Sequence, residues 1–334
     1  MFLNKRNQGF LVLAAASAAV MVLAGCGGSD GDPDAGSPGD PAGAGTGGPD
    51  GVEELTVGYF PLVHTVTAVH AEEAGIFADE GLDITLEQTA GGAQAIPSLV
   101  AGEYDITYGN FASIILAVEQ GLPLRIIAGN DVGAADHAIM VREDSTFQSA
   151  ADLEGGRVAV NNLENIGTVA VNALVTDAGG DPDAVEFVEL AYPDMQAALD
   201  RGDVDAIWQV EPFQAGALEA GHRVLVELFS GPVADMPVAG WVTTEQFADE
   251  NPEVIQAFRR ALAAAVDEVQ DNRELLVEKV PTYTEVPVEV VEAVAMPVWD
   301  AEPNVEQLQK LADLMESDGI TSGPTDVAQI IISD

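Results

Sequence analysis

Ala101-Gly102-Glu103-Tyr104-Asp105-Ile106-Thr107-Tyr108-Gly109-Asn110 decides how the rest of the chain is read. An apolar helical run over 93–101 stops at Gly102, the residue that most readily takes the left-handed turn closing a helix. Residues 104–108 then read as a strand, and Asn110 opens a second helix that runs to 120 and stops at Gly121. The same rhythm extends outward. Upstream, 55–59 and 83–87 read as strands, 65–74 as a helix ended by Gly75, and Gly91-Gly92 lead into the run over 93–101. Downstream, 124–128 is a strand. The alternation then restarts, with strands over 138–141, 157–160, 185–189, 206–208 and 223–228 and helices over 167–178, 194–201 and 212–220. Beyond Pro237 the chain turns mainly helical: Asn251-Pro252 starts a helix to 272, and further helices cover 287–295 and 305–317. Strands alternating with helices predict an α/β protein whose sheets are mostly parallel and flanked by helices.

Residues 53–334 are long for a single core, so two lobes are expected. The restart places lobe I at 53–141 plus 240–334 and lobe II at 142–239, joined by two crossover strands at a hinge, with 137–142 and 238–243 as candidates. The chain carries 56 acidic against 12 basic residues, a formal net charge of −44. Such a surface repels phosphates and excludes nucleic acid as a partner. It says little about a small ligand, because nearby dipoles outweigh a distant surface charge.

Two segments precede this body. Lys5 and Arg6 lead into an uncharged stretch from Gly9 to Gly25, and the run ends Leu23-Ala24-Gly25-Cys26. A basic start, an apolar middle and small residues at the end read as a secretory signal over 1–26, somewhat short for a permanent span. The closing residues resemble a bacterial lipoprotein signal. That resemblance implies lipidation of Cys26, cleavage before it and acylation of the new amino terminus, and more than one acyl chain anchors stably. Cys26 is the single cysteine, so no disulfide and no cysteine-based metal site is available. Residues 27–52 consist mainly of Gly, Pro, Asp, Ala, Ser and Thr and cannot bury enough surface to fold. They read as a tether with a mean reach of about 25–30 Å.

Within the body, several stretches recur in a particular order. Leu55-Thr56-Val57-Gly58-Tyr59 is followed by Ala74-Gly75-Ile76-Phe77-Ala78-Asp79-Glu80-Gly81-Leu82-Asp83, then by Gly91-Gly92 and by Ala101 to Ile106. Gly121-Leu122-Pro123-Leu124-Arg125 and Ala151-Asp152-Leu153-Glu154-Gly155-Gly156-Arg157-Val158-Ala159-Val160 come next. Tyr192-Pro193-Asp194-Met195-Gln196-Ala197-Ala198-Leu199 and Asp203-Val204-Asp205-Ala206-Ile207-Trp208-Gln209-Val210-Glu211-Pro212-Phe213 complete the set. Together, over nearly all of 53–320, these resemble the binding proteins for nitrate, taurine, alkanesulfonates and thiamine-pyrimidine precursors, the SsuA/THI5-like family. The resemblance implies a two-lobed periplasmic-binding-protein fold of type II. It also implies an extracytoplasmic solute-binding protein of an ABC importer, which hands a small molecule to a permease and its ATPase. A monomer held to the membrane through its lipid anchor is expected. A ligand-presenting sensor domain is the reading from another class. The family also contains pyrimidine-synthesising enzymes that consume their own histidine; those are cytosolic, and an exported lipoprotein is misplaced for that work.

The site follows from the sheet architecture. Ligands of open α/β sheets sit beyond the carboxyl ends of strands, where helix N-termini present free N–H groups. That rule picks Phe60, Pro61 and His64; Gly91, Gly92 and Ala93; Asn110, Phe111, Ala112 and Ser113; Asn161, Asn165, Gly167 and Thr168; and Gln209 and Glu211. Tyr192 and Trp241 are further candidates, whereas Trp208 reads as core from its place in a strand. Each has a plainer reading. Asn110 is a helix cap, Asn161 and Asn165 are turn formers, and Phe60 and Tyr192 are core or rim aromatics. Among His64, His70, His137 and His222 only the first two are close in sequence, and six residues apart they do not share a helical face. No metal, no cofactor and no catalytic role is therefore expected. None of the body's arginines or lysines falls on the candidate segments. The aromatic, amide and carboxylate set leans toward a nitrogen heterocycle such as a pyrimidine precursor, with a small sulfonate, taurine or nitrate as the alternative.

Overall fold

The structure is a computed structural model that describes residues 52–284 and 286–332. The signal segment, Cys26 and the tether up to residue 51 lie outside the described residues. The first half of the body runs β1 (Glu53–Tyr59), α1 (Val66–Glu73), the short α2 (Ile76–Asp79), β2 (Leu82–Gln88), α3 (Gly92–Val100), β3 (Ile106–Asn110), α4 (Phe111–Glu119) and β4 (Leu124–Val132). The second half runs β5 (His137–Val141), β6 (Arg157–Val160), α5 (Ile166–Asp177), β7 (Glu186–Glu189), α6 (Tyr192–Arg201), β8 (Ala206–Val210), α7 (Phe213–Glu219) and β9 (Arg223–Glu227). The chain then returns through β10 (Pro237–Thr244), α8 (Glu245–Glu250), α9 (Pro252–Val269), α10 (Arg273–Thr284), α11 (Val288–Ala293), β11 (Val298–Trp299) and α12 (Val305–Ser317). No helix among the described residues is long and apolar enough to cross a membrane.

The strands form two sheets, one per lobe. The first has the order β2-β1-β3-β10-β4-β11 and the second β7-β6-β8-β5-β9. Apart from β11 the two orders correspond strand for strand. In each, three parallel strands are followed by one antiparallel strand and then by the fourth strand of the half. The antiparallel member comes from across the molecule each time. β5 directly follows β4 yet lies in the second sheet, and β10 directly follows β9 yet lies in the first. This corrects the expected crossings. Strands β5 and β10 each belong wholly to one sheet, and the chain passes between sheets over 133–136 and 228–236. Extended conformation is visible in sequence, but which sheet receives a strand depends on pairing partners far along the chain.

Local chemistry fixes the repeated elements. Gly102 (φ 77°) and Gly202 (φ 73°) close α3 and α6 in the left-handed region, where a side chain would be strained. Three residues later an aspartate ties the incoming strand to its neighbour. Asp105 Oδ2 accepts from Thr56 N at 2.8 Å, and the Asp105 N–H donates back to Thr56 O at 2.9 Å. Asp205 Oδ2 accepts from Arg157 N at 2.9 Å, and its N–H donates to Arg157 O at 2.8 Å. These clasps explain why β3 begins at Ile106, two residues later than the strand expected from 104. The central strands β3 and β8 are almost wholly buried, whereas edge strand β2 alternates buried and exposed positions at its start. Helix α10 was not expected; Pro281 inside it disguises the pattern.

Candidate functional site

The carboxyl ends of β1, β3, β6 and β8 face one another across the space between the sheets, and a cavity of about 40 Å³ lies there. That volume holds a few waters, well below the roughly 300 Å³ at which drug-sized ligand pockets begin. Its walls come from both lobes: Phe60, Leu62, His64, Gly92, Tyr108 and Asn110 from the first, and His137, Asn161, Ile166, Tyr192 and Trp208 from the second. A groove of about 760 Å³ continues outward past Phe60, Asn161 and Tyr192, with Gln88, Gln94, Glu189, Phe213 and Tyr283 on its sides. No lysine or arginine lines either space among the described residues.

Aromatic rings shape the walls. The Phe60 and Tyr192 rings, one from each lobe, lie 6.2 Å apart at 25°. Tyr192 also stacks on Phe213 at 5.8 Å and meets Trp208 edge-on at 5.5 Å. Trp208 can approach because position 167 is glycine: a Cβ there would lie 2.2 Å from the indole. His137 lies between Trp208 and Phe229, its ring 6.1 Å and 5.0 Å from theirs.

Behind the cavity is a buried polar cluster. His64 Nε2 donates to Asp136 Oδ2 at 2.6 Å. Asp136 Oδ2 is also 3.5 Å from His137 Nε2, without a hydrogen bond between them. The His64 carbonyl accepts from Asn130 Nδ2 at 3.0 Å and from Trp299 Nε1 at 2.8 Å, which fixes the residue from two further elements. Tyr108 Oη and Asn130 Nδ2 both donate to Asp131 Oδ1, at 2.8 Å and 3.0 Å. Burial alone would lower the His64 pKa, but the carboxylates of Asp131 and Asp136 outweigh it and hold it raised. For Asp136 burial pushes upward, and the two histidines bring the carboxyl below its usual range. Burial depresses His137 to about 4, so its imidazole is neutral at pH 7. Burial raises the Asp131 carboxyl, against the pull of His64 and of its hydrogen bonds. Burial lifts Glu211 to about 7, opposed by the N–H groups of Ala295 and Ala215. Glu211 Oε1 takes the Ala295 N–H at 2.9 Å and Oε2 the Ala215 N–H at 3.0 Å, so it joins α7 to the segment after α11.

Of the residues expected from sequence, Phe60, His64, Gly92, Asn110, Asn161 and Tyr192 come together around the cavity, and Pro61 lines the groove. Gly92 is there for a second reason, since a Cβ would lie 2.6 Å from Gly109 Cα. Gly91, at φ 134°, faces Asn161 and Asn162 across the cleft. Ala93 does not line either space. Asn110 spends its Oδ1 on the Ser113 N–H at 2.9 Å, so it caps α4 while bordering the cavity. Phe111 and Ala112 are fully buried in the core, and Ser113 is the partner of the Asn110 cap. Asn165 caps α5 by accepting from Gly167 and Thr168, at 3.1 Å and 3.3 Å. Two of the N–H groups that an anion would have used at that helix start are therefore already occupied. Gln209 and Glu211 are buried behind the cavity wall. Trp241 is a core residue: its ring packs on Tyr108 and Phe258, and its Nε1 donates to Asn130.

Trp208 is buried in the core, as its place in a strand implies, and it also borders the cavity, because β8 ends at the cleft and glycine at 167 opens the space beside it. Tyr108, Asn130, Asp131, Asp136 and His137 were also missed as site residues. Asp131 lies at the end of β4 and Asp136 at the end of the first crossing, and no motif marks either. Spacing along the chain pairs only His64 with His70, yet in space it is His64 and His137 that meet. His64 and His137 have ring centroids 5.0 Å apart, and with Asp136 they offer three ligand-type atoms within 4.8 Å of one another. Chain spacing shows metal sets only when the ligands share an element; here the crossing brings them together.

A family model described as NMT1/THI5 like matches residues 63–274. The chain is 28% identical over 284 residues to the taurine-binding periplasmic protein of Escherichia coli (strain K12), covering 81% of this chain and 77% of that protein. It is 25% identical over 227 residues to a formylaminopyrimidine-binding protein of Halalkalibacterium halodurans, covering 66% of each. Among solved structures, the periplasmic aliphatic sulphonate binding protein SsuA of Escherichia coli superposes with a TM-score of 0.71 at 22% identity, over 84% of this chain and 97% of that one. At that identity the likeness shows a shared fold.

Proposed function

The chain belongs to the NMT1/THI5-like family, and we propose that it captures a planar nitrogen heterocycle between its two lobes and delivers it to an ABC permease with its ATPase. The observation that carries this reading is the Phe60–Tyr192 pair, one ring from each lobe, 6.2 Å apart at 25°. A flat solute enters such a pair when the lobes part, and the rings close on its two faces at a spacing somewhat wider than the 6.2 Å they keep without it. Asn110 and Asn161 supply hydrogen-bonding edges around it. Buried carboxylates at Asp131, Asp136 and Glu211, with no arginine or lysine in the lining, favour a donor-rich or neutral solute over an anion. The cap on α5 removes an anion site for the same reason.

We assign the lobes to the two sheets, with the hinge at the two inter-sheet passages. We place the protein outside the cytoplasm as a monomer, held to the membrane through lipid on Cys26 and the tether after it. Its role is binding and delivery, without catalysis or a cofactor requirement for delivery. A small sulfonate is the second reading, favoured by the similarity to a taurine-binding protein. A thermal-shift screen of aminopyrimidines, taurine, alkanesulfonates and nitrate separates the two. Stabilisation by aminopyrimidines is expected, and stabilisation by sulfonates alone would sink the heterocycle reading.

A further inference from the structure

We infer that His64, Asp136 and His137 form a site for a divalent transition-metal ion of the zinc class, set between the lobes with one coordination position open to the cleft. Among the described residues this is the one group of three such side chains whose ligand atoms all lie within 4.8 Å of one another. Two imidazole nitrogens and one carboxylate, with a vacant fourth position, are the donor set of an open zinc-type site. All three side chains are buried, with residue exposures of 1% for His64, 0% for Asp136 and 2% for His137.

A second observation points the same way. Both ring nitrogens of His137 and Asp136 Oδ1 are buried without a hydrogen-bond partner. Orphaned polar atoms inside a core are costly, and a cation bound among the three side chains would give a buried nitrogen of His137 the partner it lacks. His64 and His137 line the cavity itself, so the fourth position opens toward it. The backbone around the cluster is held in place. Asn130 and Trp299 grip the His64 carbonyl, and the Glu211 N–H donates to the Asp136 carbonyl at 3.1 Å. No arginine or lysine borders the cavity to compete, and a double positive charge would offset the buried carboxylates of Asp131 and Asp136.

The placement gives the ion a mechanical consequence. His64 follows β1 of the first sheet, and Asp136 and His137 lead into β5 of the second. An ion bound to all three ties the lobes together and favours the closed form. A solute with a ring nitrogen would complete the coordination. That last step rests on the solute reading above; the metal site does not.

The test therefore omits solute. Full-length protein in detergent, stripped with a chelator, is titrated with Zn²⁺ by calorimetry and with Co²⁺ by visible absorption. One equivalent is expected, with the intense ligand-field bands of a low-symmetry Co²⁺ site. H137Q, H64Q and D136N should each lose more affinity than the roughly 10–100-fold typical of second-sphere changes. The Co²⁺ spectrum of the wild type stands even if a variant fails to fold. Weak binding of many equivalents, matched by Mg²⁺ and retained in H137Q, would assign the ions to the acidic surface and overturn the site. Absence of saturable binding would do the same. A failed solute screen with metal binding intact would leave this site standing.

Discussion

The two halves of the molecule share a scaffold and differ at the cleft. Both sheets use the same strand order, with parallel strands, one antiparallel strand from across the molecule, and a fourth strand beyond it. Both close a helix with a left-handed glycine and clasp the next strand with an aspartate three residues on, Gly102 and Asp105 in one half and Gly202 and Asp205 in the other. Their contributions to the cleft are unlike. The first lobe supplies Phe60, His64 and the Asn110 cap; the second supplies Tyr192, Trp208 and His137. Building is thus done by repeated local signals, and recognition by residues with no counterpart in the other half.

Substitutions that disturb the close approaches test that division most severely. Gly92→Ala places a Cβ 2.6 Å from the Gly109 backbone, which cannot give way as a flexible side chain can. A loss of about 3 kcal/mol in chemical denaturation is expected. Gly167→Ala drives a Cβ to 2.2 Å from the Trp208 indole. A loss of similar size, about 1–3 kcal/mol, should come with loss of the solute response, because a cavity wall has moved. If G167A keeps full solute binding, Trp208 is not a wall.

The clasps come next. Asp105→Ala and Asp205→Ala each leave a strand N–H without its acceptor, at about 1–3 kcal/mol. The second should sit at the low end, because the Asp205 side chain is 35% exposed and water substitutes in part. The hydrogen bond from Arg157 holds the Asp205 carboxyl below its ordinary pKa. A depressed folded pKa contributes stability that is present above the unfolded value and lost as pH falls through the folded one. The gap between wild type and D205A should therefore narrow in acid, and urea melts at pH 7 and at low pH measure it. A gap that widens in acid would contradict the assignment.

Caps are smaller still. Asn110→Ala and Asn165→Ala should each cost about 1 kcal/mol. Asn165 should be the larger of the two, being fully buried and accepting two N–H groups where Asn110 accepts one. The exposed hydrogen bond from Asn172 on α5 to Asp318 beyond α12 is the least of the contacts, and N172A should shift the melting temperature by no more than a degree or so.

The scaffold was legible because its signals are local. Gly75, Gly102, Gly121 and Gly202 take positive φ, as their positions after helices imply. The strand–helix alternation followed from apolar runs between them. About half of the cavity wall was legible by one rule, that ligands gather where strands end and helices begin, which finds Phe60, His64, Asn110, Asn161 and Tyr192. The same rule over-reached to Phe111 and Ala112, which open α4 but are buried in the core. Trp208 is core as its strand position implies, but that burial gives no sign of the cavity beside it. Asp131, Asp136 and His137 were hidden for a different reason: their meeting with His64 is made by the crossing between sheets, and crossings leave no periodic trace.

Calorimetric titration of the full-length protein with an aminopyrimidine and, separately, with taurine tests the central claim, with Tyr192→Ala run alongside. Capture between the Phe60 and Tyr192 rings predicts saturable binding of the aminopyrimidine, at least about tenfold tighter than taurine. It also predicts loss of about 1–2 kcal/mol or more of that binding when the Tyr192 ring is removed. Tighter binding of taurine, or aminopyrimidine binding untouched by Y192A, would contradict it.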